Sequence, residues 1–135
     1  MLKSGEIIEG GTWEGFEVIS TYSRAEALED GFLIDVSAVA REARIKYPVA
    51  LSRSVWDNYV RVPEGVQLQG EQGRLWDVLW MLFVEIGRSE GERLLNYTVF
   101  VRNDNKKPKP VQLKAVCGPG DDGEPVITIL LPEED

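Results

Sequence analysis

The stretch from Arg74 to Ile86 places Leu75, Val78, Leu79, Leu82, Phe83 and Ile86 at i, i+3, i+4, i+7, i+8 and i+11, one complete face of an α-helix. Trp76, Trp80 and Val84 add a second apolar stripe, which leaves only Arg74, Asp77, Glu85 and Arg88 as a thin charged seam. A helix apolar almost all round must be covered on more than one side, so the rest of the chain has to supply its partners. With 135 residues in total, the expectation is a single domain over residues 1–135 built on one core.

Those partners are legible downstream. Leu95, Tyr97, Val99 and Val101 recur at every second position, as do Val111, Leu113, Ala115 and Cys117, and Val126 to Leu131 is a continuous run rich in β-branched residues. Turn-rich segments, Asn103 to Pro110 and Gly118 to Pro125, separate them. This pattern predicts three antiparallel strands in a meander. Upstream, Ser23-Arg-Ala-Glu26 has capping-box spacing and Asp30-Gly31 a stop, which predicts a short helix from Arg24 to Glu29. Phe32 to Val36 reads as a buried strand or extended segment. Ser37 is a candidate N-cap for a helix through Arg44 closed by Pro48, and Ser52 or Ser54 for a short helix with Val55, Trp56, Tyr59 and Val60 inward. Residues 1–20 read as weakly ordered or as one strand within Thr12 to Thr21. The fold class expected is α+β, with helices packed on one face of a small C-terminal antiparallel β-meander. Its core includes Leu75, Leu79, Leu82, Phe83, Val99, Val101, Leu113, Ala115, Ile127 and Ile129.

Composition matters here for the chemistry it removes. There is no histidine and only one cysteine, Cys117. Ser-His-Asp and Cys-His catalysis, histidine acid/base work and His/Cys zinc sites are therefore excluded. P-loop, nucleophile-elbow and dinucleotide-binding motifs are also missing. The reading assigns no catalytic residue, no metal site and no cofactor. Cys117 reads as a buried structural thiol, and Gly118 to Glu124 as a hairpin turn in preference to a calcium loop. The acids Glu6, Glu9, Glu26, Glu29 and Asp30 read as solvated faces. A small histidine-independent transferase or hydrolase working with Arg, Tyr and carboxylates stays open, and a deep pocket lined by such residues would reveal it.

A net charge of -8 repels nucleic acid globally, yet charge is unevenly placed. Arg93, Arg102, Lys106, Lys107, Lys109 and Lys114 face only Asp104 between residues 93 and 116, whereas residues 117–135 hold six acids and no base. A meander would carry these blocks at opposite ends of the sheet or pair them across it. Arg102, Lys106, Lys107 and Lys109 are the nucleic-acid candidates, set against a solvated hairpin tip, since no aromatic residue is interleaved for stacking. Trp76, Trp80 and Val84 are the candidates for binding a protein partner or a second copy, set against a helix sandwiched between the sheet and the preceding short helices. The longest apolar run, Val78 to Val84, is far below the ~18 residues of a spanning helix, so no membrane role is expected. The start of the sequence lacks a secretory h-region, which points to the cytoplasm.

Tyr22-Ser-Arg-Ala-Glu-Ala-Leu-Glu-Asp-Gly31, Tyr47-Pro-Val-Ala-Leu51, Gly73-Arg-Leu-Trp-Asp-Val-Leu-Trp-Met81, Lys114-Ala-Val-Cys-Gly-Pro-Gly-Asp-Asp122 and Glu124-Pro-Val-Ile-Thr-Ile-Leu-Leu-Pro132 together resemble a family of uncharacterised bacterial proteins, domains of unknown function encoded on plasmids, prophages and integrated mobile elements. The resemblance implies a bacterial or phage cytoplasmic setting and an accessory role on mobile DNA. It transfers no site residue. Residues and resemblance together lead to the expectation of a non-enzymatic protein-binding module, with a nucleic-acid accessory factor as the alternative.

Overall fold

The computed structural model describes residues 22–134; the strand expected within Thr12 to Thr21 and the acids Glu6 and Glu9 lie outside them. The chain runs α1 (Arg24–Asp30), β1 (Leu33–Asp35), α2 (Ser37–Glu42), β2 (Val49–Ser52) and α3 (Arg53–Val55), which continues as a π-helical turn over Trp56–Val60. Then come α4 (Glu71–Arg88), β3 (Leu94–Val101), β4 (Lys109–Pro119) and β5 (Pro125–Leu130). It is an α+β fold.

The strands form one mixed sheet in the order β1-β2-β5-β4-β3. The expected meander β3-β4-β5 is present and antiparallel throughout. Two further strands extend it, with β2 parallel to β5 and β1 antiparallel to β2. Register aligns Leu51, Ile129, Ala115 and Leu95 as one row across four strands. That row and its neighbours Val49, Ile127, Leu113, Tyr97 and Val99 pack against Val36, Ala40, Val55, Val60, Leu75, Val78, Leu79 and Leu82 from the helices. Val49 to Ser52 carries no strand signature in the sequence, because all four residues are buried and a short run buried on both faces has no alternation.

Local chemistry sets the element ends. Ser23 and Glu26 form the reciprocal capping box on α1, and Gly31 closes it at φ 83°, a left-handed conformation glycine adopts without a Cβ clash. Phe32 to Val36 is less buried than expected, with Phe32 63% exposed. Ser37 is the first residue of α2, not its cap; its hydroxyl donates to Asp35 at 2.6 Å and accepts from the Val49 amide at 3.0 Å. Ser52 caps α3 through the Val55 amide at 3.1 Å. Helix α4 starts at Glu71, ahead of the expected Arg74.

Two side chains depart from the expected pattern on α4. Phe83, placed in the core by periodicity, is half-buried at its edge. Arg74, counted in the charged seam, is buried. Its guanidinium donates to the Val60 carbonyl at 3.1 Å, the Arg102 carbonyl at 2.7 Å, the Asn103 side chain at 2.5 Å and the Gln69 side chain at 3.4 Å. Carbonyl oxygens at two chain turns thus gain a charged donor, which offsets the desolvation of the cation.

Candidate functional site

Trp76 and Trp80 sit one helical turn apart on the side of α4 turned away from the sheet. Their rings stack at 5.9 Å with planes 15° apart, and Trp80 also meets Phe83 at 5.2 Å. The two indoles are 36% and 41% exposed, while Val84 is half-buried. Among the described residues their cover is partial, and Val39, Trp56 and Tyr59 from the preceding helical segments pack against the core. The aromatic surface is therefore Trp76, Trp80 and the outer part of Phe83, the last a member that periodicity had assigned elsewhere.

The basic hairpin is organised differently from a phosphate-binding array. Arg102 donates to the carbonyls of Gln67 at 2.5 Å and Lys106 at 3.0 Å and to the Asn105 side chain at 3.3 Å. Asn105 in turn donates to the Gly65 carbonyl at 3.0 Å, so Arg102 is a tie between the Pro63–Gln69 loop and this hairpin. Lys109 lies 3.8 Å from Asp104. Lys106 and Lys107 are left exposed at the tip, two cations where nucleic-acid binding needs several.

At the other end of the sheet, the Gly118–Glu124 turn does more than reverse the chain. The Asp121 carboxylate accepts from the backbone amides of Ala25 at 2.9 Å and Arg24 at 2.8 Å, supplementing the cap of α1. Those donors hold its pKa below the usual carboxylate range. Glu26 is spent on the capping box and Asp30 accepts from the Tyr22 hydroxyl at 2.7 Å. Among the described residues no cluster of Cys, Asp and Glu is placed to hold a metal ion. The basic and acidic loops thus occupy opposite ends of the β3-β4-β5 meander.

Sequence reasoning missed a cavity of about 410 Å³ between the C-terminal half of α4, the strands and the segment after α2. Its walls include Ile45, Leu82, Phe83, Ile86, Leu95, Ala115, Ile127 and Cys117. Cys117 is half-buried there, not fully buried as expected. The exposed lining residues Arg44, Lys46, Tyr47, Glu92 and Arg93 mark its mouth. These are residue types the transferase-or-hydrolase alternative asked for, but the walls behind them hold no carboxylate.

Arg44 has a signal of its own. Helix α2 ends with the Ile45 amide bonded to the Ala40 carbonyl and the Arg44 amide to the Arg41 carbonyl, the paired bonds of a Schellman motif. Arg44 occupies its left-handed position at φ 72°. Glycine is the usual residue there, and a side chain at such a φ costs about 1 kcal/mol.

No helix among the described residues is long and apolar enough to cross a membrane. Among curated proteins and among solved structures, nothing matches the chain. Residues 10–135 match the model of a family of unknown function, DUF6573, and the chain accordingly belongs to that family.

Proposed function

We propose that this protein is a non-enzymatic binding module that docks a partner protein on the outer face of α4. The exposed, stacked Trp76–Trp80 pair carries the reading: tryptophans are enriched at the centres of interfaces, and a contiguous aromatic surface left in water is costly unless something covers it. The complementary partner presents apolar or aromatic side chains to this pair. The bacterial cytoplasmic setting and the accessory role on mobile DNA belong to the same proposal and rest on the family resemblance alone.

Photo-crosslinking tests it in the living host. A benzophenone side chain replacing Trp76 should give a discrete adduct with a foreign protein, weakened by Trp80→Ala and missing when the probe replaces Gln112 on the sheet. An adduct of two copies would replace the foreign partner with self-association. No adduct at position 76, or micromolar salt-sensitive binding of DNA or RNA lost in a Lys106→Ala, Lys107→Ala double variant, would overturn the reading.

A further inference from the structure

We propose that the cavity beneath the C-terminal half of α4 binds an amphiphile with an apolar body and an anionic head. The proposal stands apart from the tryptophan face, since the two surfaces share only Phe83. A volume of about 410 Å³ lies within the ~300–1,000 Å³ typical of small-molecule sites. Ile45, Leu82, Ala115 and Ile127 are buried in its walls, and such walls favour a hydrocarbon chain over a polar one.

The head group follows from the mouth. Arg44, Lys46 and Arg93 border it against the single acid Glu92, a local excess of positive charge on a chain of net charge -8. Among the described residues none of the three cations is engaged in an ion pair. Guanidinium and ammonium groups beside an apolar opening select an anionic oxygen head, carboxylate or phosphate. The left-handed backbone at Arg44 is consistent with this placement, because glycine would end α2 with less strain but bring no charge to the mouth.

Calorimetric titration with decanoate, decyl phosphate, 1-decanol and decyltrimethylammonium, each below its micellar concentration, tests both halves of the inference. The two anions should bind at least about tenfold more tightly than decanol, with the cation unbound, and the preference between the anions tells a fatty acid from a phosphate-headed lipid. Arg44→Gly should weaken anion binding about tenfold while raising the melting temperature by roughly 3 °C. A loss of affinity in a more stable protein cannot come from unfolding. Lys106→Ser, the same charge change at a distant loop, should leave affinity unaltered. Saturating decanoate should also slow reaction of the single thiol, Cys117, with an aromatic disulfide reagent at least about fivefold. Anions bound no better than decanol, equal losses in Arg44→Gly and Lys106→Ser, or a Cys117 rate indifferent to decanoate would each overturn the proposal.

Discussion

The guanidinium of Arg74 donates to the side-chain oxygen of Asn103 at 2.5 Å and to the adjacent Arg102 carbonyl at 2.7 Å, tying the first turn of α4 to the chain just past β3. Arg74→Ala leaves these acceptors and the Val60 carbonyl without their donor in a buried site and should cost about 2–4 kcal/mol in urea unfolding. Arg74→Lys should recover less than half of that loss, because one ammonium cannot span acceptors on two segments as a guanidinium does.

Asp121 makes stability depend on acid in a defined direction. Its carboxylate is held below the usual range, first by the Ala25 amide and then by that of Arg24. Its contribution is therefore complete above the unfolded pKa of about 3.9 and is lost as pH falls through the lower folded value. Between pH 5 and 2, Asp121→Asn should flatten the acid limb of a thermal-melting profile. In the parent protein, the protection factors of the Ala25 and Arg24 amides, measured against the falling intrinsic exchange rate, should drop as pH falls through the same interval.

Asp77 acts with the opposite sign. Although Asp77 is exposed, partial desolvation on α4 raises its pKa in the folded chain, so the fold mildly disfavours its charged form. The penalty is missing below about pH 3.9, grows as pH rises toward the folded value and is complete above it. Asp77→Asn should accordingly raise the melting temperature slightly at pH 7, by an amount that solvent screening keeps small, and leave it unchanged at pH 3.

Leu79 is fully buried at the centre of the α4 stripe. Leu79→Ala should cost roughly 2–5 kcal/mol by chemical denaturation, and Phe83→Ala less, because Phe83 is already partly in solvent. A change below about 1 kcal/mol at Leu79 would mean that α4 does not seat on the sheet through this stripe.

The elements that announced themselves in sequence are those whose periodicity is one-sided. Leu75, Val78, Leu79 and Leu82 on α4, and Tyr97, Val99, Leu113 and Ala115 on β3 and β4, face a core on one side only, so their spacing exposes the geometry. Val49 to Ser52 is buried throughout and gave no such pattern. Arg74 is the reverse case: a charged residue next to the stripe looks solvated until the Val60, Arg102 and Asn103 acceptors converge on it. The cavity was illegible for a related reason, since Ile45, Leu82, Leu95, Ala115 and Ile127 come from separate segments that only the folded sheet brings together. The partial exposure of Trp76 and Trp80 was not legible either, because spacing on α4 does not say how far the preceding helical segments cover its second stripe.

The position of β5 has a consequence for how the molecule is made. Hydrogen-bonded between β2 and β4, it is the last described strand to leave the ribosome and the one that joins the β1-β2 pair to the β3-β4 pair. Until Pro125–Leu130 pairs, nothing bridges the two half-sheets, and the β2 and β4 edges stay open to any other extended peptide. Pairing Val49 with Ile127 must also close most of the chain into one loop, a late and slow event relative to the local β3-β4 hairpin. The one strand that closes the sheet is thus also the one that removes both open edges, so insertion of β5 is the step that protects the folding chain from misassociation.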